Sequence, residues 1–363
     1  MQNKYNIIGL MSGTSRDGLD IAYCSFWFTD KWNYKINIAE TIPYPNYIHK
    51  LLDDAFLRNK LESCDNKYGS YLGEQVNLFC ERHNINPDFV ASHGHTIFHQ
   101  PEKSYTLQIG NGKVISEICK KTVIYDFRSK DVMLGGQGAP LVPIGDDLLF
   151  SDFDSCINIG GFSNISFNKN INGNKIRIAF DICPANIVLN ELATLVGKEF
   201  DKDGEIARDS KIIPELLEEL NNLEYYKISA PKSLGKEYVE NYIQPILNKY
   251  KNKSRIEDII STYTEHIAIQ ISKHIKNKEK NLITGGGALN KHLIERIKYH
   301  TNNKNIIIPK EIIINYKEAL IFAFMGILRM RNEVNVYCTV TGAKCDHCAG
   351  EVEEYNKITE LQN

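Results

Sequence analysis

Three glycine-rich segments of the chain have residue types that suit the binding of phosphate. The first, residues 12–18, offers Gly13, Thr14, Ser15 and Asp17 between two apolar runs. Small hydroxyls and backbone N–H groups in such a turn can surround phosphate oxygens without a bulky side chain in the way. The Gly-Lys-Ser/Thr ending of a P-loop is missing, so the sequence excludes a Walker-type site. A plain hairpin connection is the alternative interpretation.

Two further glycine-rich turns occur in the second half of the chain. Gly160 and Gly161 again stand between apolar runs, whereas Gly285, Gly286 and Gly287 lie at a predicted strand-to-helix junction. The N-terminus of a helix favours anions. Tight packing of a turn is the alternative at each position. Three such turns along one chain predict a nucleotide held between two related domains.

Carboxylates near these turns are suited to phosphoryl transfer. Asp181 follows a predicted strand at 176–180 and is expected to emerge at the end of that strand, as a base that activates a nucleophile. Capping of the following helix is the alternative role. Asp17 and Asp20 are candidates for orienting Mg²⁺ through water, because magnesium commonly keeps part of its hydration shell.

Histidines and cysteines form two groups that could bind metal. The first group has no neighbouring carboxylate, so hydrogen bonds to a hydroxylated ligand are the prediction. The second group has no partner pair at zinc-finger spacing, so free thiols are predicted there and a zinc site is the alternative. The groups are His93, His95 and His99, and Cys338, Cys345, His347 and Cys348.

Arg128 is a candidate for binding a substrate carboxylate. Its planar guanidinium can donate two parallel hydrogen bonds to such a group. The alternative is a salt bridge with Asp126 or Asp131, which lie close by in sequence.

The elements that must position these residues predict an α/β fold with two domains. The chain has 363 residues, more than one hydrophobic core usually serves, and its short apolar strands alternate with helical segments. The strand–turn–strand pattern at residues 5–28 recurs at 156–167, which predicts two domains built alike. The glycine-rich run at 134–140 predicts a loop near the hinge, and hence domains of 1–133 and 134–363.

Charge and composition favour a small-molecule partner in the cytoplasm. The formal net charge is −2, which offers no positive field for nucleic acid or anionic lipid. No signal peptide or membrane-spanning run is evident. Nine scattered cysteines suit a reducing compartment.

Ten ordered blocks of the chain resemble the signature of the anhydro-N-acetylmuramic acid kinase family and cover nearly its whole length. The blocks are Met-Ser-Gly-Thr-Ser-x-Asp-Gly-x-Asp at 11–20, Ser-His-Gly-His-Thr at 92–96, Thr-Leu-Gln-Ile-Gly at 106–110, Asp-Phe-Arg-Ser-x-Asp at 126–131, Gly-Gly-Gln-Gly-Ala-Pro-Leu-Val-Pro at 135–143, Asn-Ile-Gly-Gly-Phe-Ser-Asn at 158–164, Pro-Lys-Ser-Leu-Gly-Lys-Glu at 231–237, Gly-Gly-Gly-Ala-x-Asn at 285–290, Lys-Glu-Ala-Leu-Ile-Phe-Ala at 317–323 and Val-Thr-Gly-Ala at 340–343.

The resemblance implies an actin-like, hexokinase-type ATPase fold of two domains with a cleft between them. It implies that ATP and Mg²⁺ are used to convert 1,6-anhydro-N-acetylmuramic acid to N-acetylmuramic acid 6-phosphate, with hydrolysis of the anhydro bridge, and that the enzyme is a homodimer. A kinase of another sugar or small carboxylate, and a clamp-type ATPase that binds protein, are the alternatives.

The resemblance also implies roles for individual residues. The first domain would carry the sugar and phosphate side and the second the nucleotide side. Asp181 would activate water, assisted by Glu318, and His93, Arg128 and Asn186 would line the sugar. The residues implied to hold ATP are Gly13, Thr14, Ser15, Asp17, Gly18, Asp20, Gly160, Gly161, Gly285, Gly286 and Gly287.

One block departs from the family pattern. Residues 181–186 read Asp-Ile-Cys-Pro-Ala-Asn, where the family commonly has Asp-Thr-Gly-Pro-Gly-Asn. The loss of two glycines narrows the backbone freedom of this segment and places Cys183 close to the predicted base. We therefore expect an effect on substrate preference and rate rather than on reaction type.

Overall fold

The computed structural model describes residues 4–13, 16–302 and 305–355. Thr14 and Ser15, both predicted to contact phosphate, lie outside the described residues. The chain forms two compact units. Unit 1 combines the residues up to Leu149 with those from Tyr316 onwards, and unit 2 runs from Phe150 to Asn315.

The described strands and helices alternate along the chain. The strands are β1 Lys4–Met11, β2 Gly18–Phe28, β3 Trp32–Pro43, β4 Phe89–Ser92, β5 His95–Gln100, β6 Tyr105–Ile109, β7 Val123–Tyr125, β8 Ser155–Ile159, β9 Phe162–Ile171, β10 Asn174–Pro184, β11 Asn281–Thr284, β12 Ile306–Ile307 and β13 Glu351–Glu353. The α-helices are α1 Asn46–Asp54, α2 Leu61–His83, α3 Gly112–Cys119, α4 Ser129–Met133, α5 Pro143–Leu148, α6 Asn186–Thr194, α7 Glu205–Arg208, α8 Pro214–Asn221, α9 Lys236–Tyr238, α10 Gln244–Lys251, α11 Ile256–Ile275, α12 Lys291–Thr301, α13 Glu311–Met330 and α14 Cys338–Thr341.

The two units are built on sheets with the same core arrangement. In unit 1 the order is β13-β7-β4-β1-β2-β3, in which β1, β2 and β3 are antiparallel and β4 and β7 run parallel to β1. In unit 2 the order is β10-β9-β8-β11-β12, in which β8, β9 and β10 are antiparallel and β11 and β12 run parallel to β8. The prediction of an α/β chain with two domains built alike is confirmed.

The inner strands are apolar because helices cover both faces of the sheet of unit 1. All four residues of β4 are buried. Residues from α1, α2 and α3 form a core against one face. On the other face α13 lies so close that the Ala319 carbonyl occupies the place of a Cβ at Gly9, and a Cβ at Gly326 would lie 2.9 Å from that of Ala91.

The compact units differ from the predicted domains of 1–133 and 134–363. The chain returns to unit 1 at Tyr316, where α13 is interrupted by non-helical backbone (φ −118°, ψ 18°). The later part of α13 then packs on the sheet of unit 1, and β13 pairs with β7 at its edge. Segments distant in sequence thus complete unit 1, which the local glycine signal at 134–140 did not indicate. None of the helices that the structure describes has the length and apolar character needed to span a bilayer.

Candidate active site

The first predicted phosphate turn joins β1 to β2 in unit 1. The Arg16 amide donates a hydrogen bond to the Gly13 carbonyl (3.2 Å) across this turn. Gly18 is required by packing, because a Cβ there would lie 2.5 Å from the Ile42 carbonyl oxygen. Asp17 is exposed and Asp20 is half-buried, so both carboxylates at the β2 end of the turn reach solvent.

A chain of buried hydrogen bonds lies at the start of this turn. The Ser12 hydroxyl is 2.7 Å from Nδ1 of His95 and accepts a hydrogen bond from the Tyr44 hydroxyl (2.6 Å), which in turn lies 2.7 Å from that of Tyr68. Burial lowers the pKa of His95 to about 4, so its ring is neutral at pH 7. His95, predicted to bond a hydroxylated ligand, therefore binds the protein's own hydroxyl through Nδ1.

Asp17 and Asp20 form a pair of interacting carboxylates. The Thr41 hydroxyl donates to Oδ1 of Asp20 at 2.6 Å. Burial raises the pKa of Asp20, the Thr41 hydrogen bond opposes this shift, and the charge of Asp17 adds to it. Two neighbouring carboxylates are ligands suited to a hard divalent cation.

Arg128 is held by two uncharged acceptors. Its Nε donates to Nε2 of His93 (3.0 Å), and its Nη1 donates to the Gly138 carbonyl (2.7 Å). Neither salt bridge considered for it occurs, since no carboxylate oxygen in the described ranges, including those of Asp126 and Asp131, lies within 4.0 Å of the guanidinium. Burial lowers the pKa of Arg128 to about 10, which still leaves it charged at pH 7.

Both ring nitrogens of His93 are engaged with protein groups. Nδ1 lies 2.9 Å from the Gly94 carbonyl, to which it donates, because Nε2 accepts from Arg128. Burial, assisted by the charge of Arg128, holds the pKa of His93 well below its ordinary value and keeps the ring neutral. His93 therefore orients Arg128, and neither ring nitrogen remains for a sugar hydroxyl. His99 is exposed, with Nδ1 3.1 Å from the Thr106 hydroxyl.

Glu318 lies near the start of the buried stretch of α13. The adjacent Lys317 forms a buried ion pair with Asp146 (2.6 Å) that fixes this turn to α5. Glu318 is accessible to solvent although it is closely surrounded by protein, and this crowding raises the pKa of its carboxyl. The charges of Arg128 and Lys317 oppose the shift and that of Asp20 adds to it. Asp20, Arg128 and Glu318 thus lie within electrostatic reach of one another in unit 1.

The other two glycine turns meet in unit 2. Gly285 has a positive φ of 81°, and a Cβ there would lie 2.6 Å from the Ile159 carbonyl oxygen, next to Gly160. A Cβ at Gly287 would collide with the Ile159 side chain. The three glycines lead into a 3₁₀ turn, Gly286–Leu289, rather than directly into the predicted helix. Helix α12 follows and is capped by the side chain of Asn290.

Packing does not require a glycine at Gly161 or Gly286. A Cβ would lie 3.7 Å from that of Ile187 in the first case and 3.8 Å from Nδ2 of Asn186 in the second, which are ordinary contacts. Tight packing, the alternative considered for these turns, therefore explains Gly285 and Gly287 but not Gly161 and Gly286. These two positions form an open backbone cradle.

Asn186 lies beside the same cradle, at the start of α6. Its amide N–H donates to the Gly160 carbonyl (3.1 Å), and its side-chain Nδ2 donates to the Ile159 carbonyl (3.3 Å). Within unit 2 the structure thus places Asn186, predicted to line the sugar, next to the turns predicted to hold nucleotide.

Asp181 lies within β10, at a β-bulge between Asp181 and Cys183, and not after the end of the strand as predicted. Its Oδ2 accepts a hydrogen bond from the Leu234 amide (2.8 Å). Its backbone carbonyl accepts from the Tyr225 hydroxyl (2.7 Å), and its amide donates to the Lys232 carbonyl (3.2 Å). A bulge re-aims a side chain and leaves the local backbone free to bond outside the ladder.

The surroundings of the Asp181 carboxyl raise its pKa. It is half-buried, and burial raises its pKa while the Leu234 hydrogen bond opposes the shift. Among the described residues no partner is found for Oδ1. The alternative role in helix capping does not occur, because the N-cap of α6 is Ala185 and has no side-chain hydrogen bond.

The unusual residues after Asp181 point into the core. Ile182 and Cys183 are fully buried and belong to the main hydrophobic cluster of unit 2. Burial raises the pKa of the Cys183 thiol, so it stays protonated and unreactive. The departure from the family pattern thus alters core packing next to Asp181 rather than an exposed surface.

The cysteine-rich segment at 338–348 is part of unit 1. Nδ1 of His347 lies 3.0 Å from the Cys345 carbonyl, and its Nε2 is 3.5 Å from a carboxylate oxygen of Asp131. Within residues 4–13, 16–302 and 305–355, no three His, Cys, Asp or Glu side chains are grouped in a way that could hold a metal ion.

Comparison with known proteins identifies the family. The family model for anhydro-N-acetylmuramic acid kinase matches residues 5–354. The chain belongs to the anhydro-N-acetylmuramic acid kinase family. It is 35% identical to the protein of that name from Francisella tularensis subsp. novicida (strain U112), covering 95% of this chain and 97% of the relative. It is 31% identical to the one from Bacillus cereus (strain Q1), covering 95% and 98%.

Membership of this family makes the chain a sugar kinase that uses ATP, with the two-domain, actin-like α/β fold that the resemblance implied. Among solved structures, a xylulose kinase from Lactobacillus acidophilus aligns with 98% of this chain and 95% of its own, at 10% identity and a TM-score of 0.46. A ROK family protein from Streptococcus pneumoniae aligns with 90% and 99%, at 12% identity and a TM-score of 0.35.

Several residues around the kinase's carboxylates carried no functional prediction. Thr41 binds Asp20 from a neighbouring strand, and Tyr225 and Leu234 bind Asp181 from a segment about 50 positions later in the chain. The family block at 231–237 was a sequence signal for Leu234, whereas Tyr225 lies outside that block. Thr41 has no sequence signal, because strand pairing alone brings it to Asp20.

Proposed function

We propose that this kinase converts 1,6-anhydro-N-acetylmuramic acid to N-acetylmuramic acid 6-phosphate with ATP, and so returns cell-wall sugar to metabolism. The observation that carries the proposal is Asp181, a half-buried carboxylate with a raised pKa and no partner for Oδ1 among the described residues, in a chain that matches the family over residues 5–354. Hydrolysis of an acetal needs such a base to activate water.

In the proposed reaction Asp181 takes a proton from water as the water oxygen bonds to the anomeric carbon. The bond between that carbon and the bridging oxygen breaks, and this oxygen, O6, attacks the γ-phosphorus of ATP and displaces ADP. A raised pKa makes Asp181 a stronger base than an ordinary aspartate, which favours proton transfer from water. One water is consumed. The hydrogen bond from Leu234 to Oδ2 fixes the carboxyl, and Oδ1 takes the proton in this proposal.

Other residues position the sugar in this proposal. Glu318 orients the attacking water, Arg128 binds the carboxylate of the substrate, and Asn186 lines the sugar. Arg128 suits its role because its two hydrogen-bond acceptors are uncharged, which leaves its positive charge available to an anion. His93 contributes by holding Arg128.

The glycine turns bind ATP in this proposal. The open positions at Gly161 and Gly286 let phosphate oxygens approach backbone N–H groups. The paired carboxylates of Asp17 and Asp20 fit a Mg²⁺ ion held through water, and such an ion would neutralise charge on the phosphates. We further propose a cytoplasmic homodimer with a small-molecule substrate and no nucleic-acid or membrane partner.

The decisive experiment measures ADP release by the purified protein with ATP, Mg²⁺ and 1,6-anhydro-N-acetylmuramic acid. Controls contain N-acetylglucosamine, glucose or no sugar. Turnover only with the anhydro sugar is the expected result. Turnover with another sugar would move the substrate and keep the kinase, whereas hydrolysis that no sugar stimulates would favour a clamp-type ATPase.

The variant Asp181→Asn tests the proposed base. We expect kcat to fall by roughly a thousandfold or more, because an amide cannot accept the proton of water. The affinity for ATP, measured by calorimetry, should stay within about twofold, since Asn is isosteric and the nucleotide turns are untouched. Near-normal turnover would refute the assignment of Asp181.

A further inference from the structure

The glycine-rich run after α4, predicted to be a loop near the hinge, is held in unit 1 by a buried carboxylate. Asp131 is fully buried. Its Oδ2 accepts a hydrogen bond from the Gly138 amide (2.6 Å), and its carbonyl accepts from the Gly136 amide (2.9 Å). Gly136 must lack a side chain because the Asp131 carboxylate occupies the place of its Cβ.

The C-terminal part of unit 1 holds Asp131 from the other side. The Thr341 hydroxyl, itself buried, donates to Oδ1 of Asp131 at 2.6 Å, and Nε2 of His347 lies 3.5 Å from the same oxygen. The Thr341 carbonyl also accepts a hydrogen bond from the Gln137 amide (2.8 Å). The loop is thereby clamped between α4 and a segment 200 residues later in sequence.

This clamp includes the residue that holds one edge of the Arg128 guanidinium. One of the two acceptors of its guanidinium is the Gly138 carbonyl, and the amide of that same residue is bonded to Asp131. The other acceptor, His93, contacts only the Nε edge. A shift of residue 138 would release Nη1 and let the guanidinium rotate about its Nε contact.

We propose that Asp131, held in place by Thr341, is a positioning residue that aims Arg128 at the anionic group of the sugar. This rests on the proposed function, because it takes Arg128 to bind the substrate carboxylate. It extends that function to residues that need not touch the substrate. Asp131 has no ion pair with Arg128 and acts through the loop.

The matched pair Thr341→Val and Thr341→Ser tests this inference. Valine has the shape of threonine without its hydroxyl, whereas serine keeps the hydroxyl. We expect Thr341→Val to raise KM for the anhydro sugar roughly threefold to tenfold, the effect of one lost hydrogen bond on a positioned charge. KM for ATP should be unchanged, and Thr341→Ser should behave like the wild type. Equal KM values for the sugar in all three proteins would overturn the inference.

A double-mutant cycle separates positioning from a general loss of folding. In an Arg128→Ala background, Thr341→Val should cause no further rise in KM for the sugar, because the group it positions is gone. The same fold-change in both backgrounds would overturn the inference. Asp131→Ala provides a second entry to the cycle, since alanine has no side-chain oxygen to accept from the Gly138 N–H.

A crystal structure of Thr341→Val gives a readout that needs no substrate. We expect the Gly138 carbonyl to move away from Nη1 of Arg128, and an unchanged loop and guanidinium would contradict the inference. Wild-type turnover of the anhydro sugar, measured in the same series, reports separately on the proposed function.

Discussion

At the scale of single residues, the glycines divide into those that the fold requires and those that it does not. At Gly287 the side chain of Ile159 occupies the place that a Cβ would take. Gly285 combines a positive φ with the close carbonyl of Ile159. Gly161 and Gly286 have neither constraint. A glycine that packing does not explain, beside others that it does, is best explained by the close approach of a ligand to the backbone.

This division predicts opposite phenotypes for alanine variants of neighbouring glycines. Gly161→Ala and Gly286→Ala should keep the melting temperature of the wild type and raise KM for ATP by roughly tenfold or more, because the added methyl blocks phosphate. Gly287→Ala should lower the melting temperature through its collision with Ile159. Thermal unfolding and ADP-release kinetics measure both effects. An unchanged KM for ATP in both of the first two variants would show that the cradle does not bind nucleotide.

At the scale of elements, the segment from Tyr225 to Leu234 holds the edge strand β10 at its bulge. Three hydrogen bonds join this segment to one residue of the strand, Asp181. Lys232 braces the segment, since its Nζ donates to the Tyr225 carbonyl (3.1 Å) and lies 4.5 Å and 5.6 Å from the ring centroids of Tyr225 and Phe180. The position of the proposed base therefore depends on a lysine that does not itself contact the carboxyl.

We predict that Lys232→Met lowers kcat roughly fivefold to tenfold and leaves KM for ATP unchanged. Methionine keeps most of the aliphatic side chain of lysine but lacks its charge, its hydrogen-bond donor and its cation–π contact. The segment is then less firmly held, and the Leu234 amide is less well placed to bond Asp181. Steady-state kinetics measure the change, and the variant Lys232→Arg should keep much of the wild-type rate. Lys236→Met is the matched control, because Lys236 is exposed and only loosely paired with Glu240. If both methionine variants behaved alike, Lys232 would have no special role.

At the scale of the whole molecule, each unit buries histidines that stay neutral. Burial lowers the pKa of His95 to about 4 in unit 1, and in unit 2 it lowers those of His266 and His274 to about 3 and about 4. Both ring nitrogens of His266 are bonded, to the Tyr226 hydroxyl and to Oδ1 of Asn221. In the unfolded chain these histidines take up protons near their ordinary pKa. In the folded protein the same side chains remain neutral at that pH.

The free energy of unfolding should consequently fall as the pH drops from about 6.5 towards 4. The sign follows from the lowered pKa values: their stabilising contribution is complete above the unfolded pKa and is lost on acidification. Between pH 7 and pH 5, each such histidine contributes on the order of 2 kcal/mol. Urea unfolding at the two pH values measures this. His266→Gln should reduce the difference in the free energy of unfolding of unit 2 between the two pH values. An equal pH dependence in variant and wild type would show that His266 does not stay neutral in the folded protein.

Much of the fold and of the family followed from local patterns in the sequence. Apolar residues recur at helical spacing over 257–275, which is α11, and the apolar run at 319–328 lies in α13, because hydrophobic periodicity reports the burial of a helix face directly. The two strand–turn–strand units were recognisable because each is contiguous in sequence. The ordered motifs were enough to indicate the family.

What the sequence by itself determined was the set of chemical groups: the glycine turns, the carboxylates, Arg128 and the histidines at 93–99. Only the tertiary structure decided where these groups lie and which partners they bond. It showed that Asp181 lies at a bulge and is bonded to Leu234, that Arg128 is held by His93 and Gly138, and that α13 and β13 complete unit 1. These features depend on contacts between segments tens to hundreds of residues apart, and such contacts leave no local periodicity or spacing to be read.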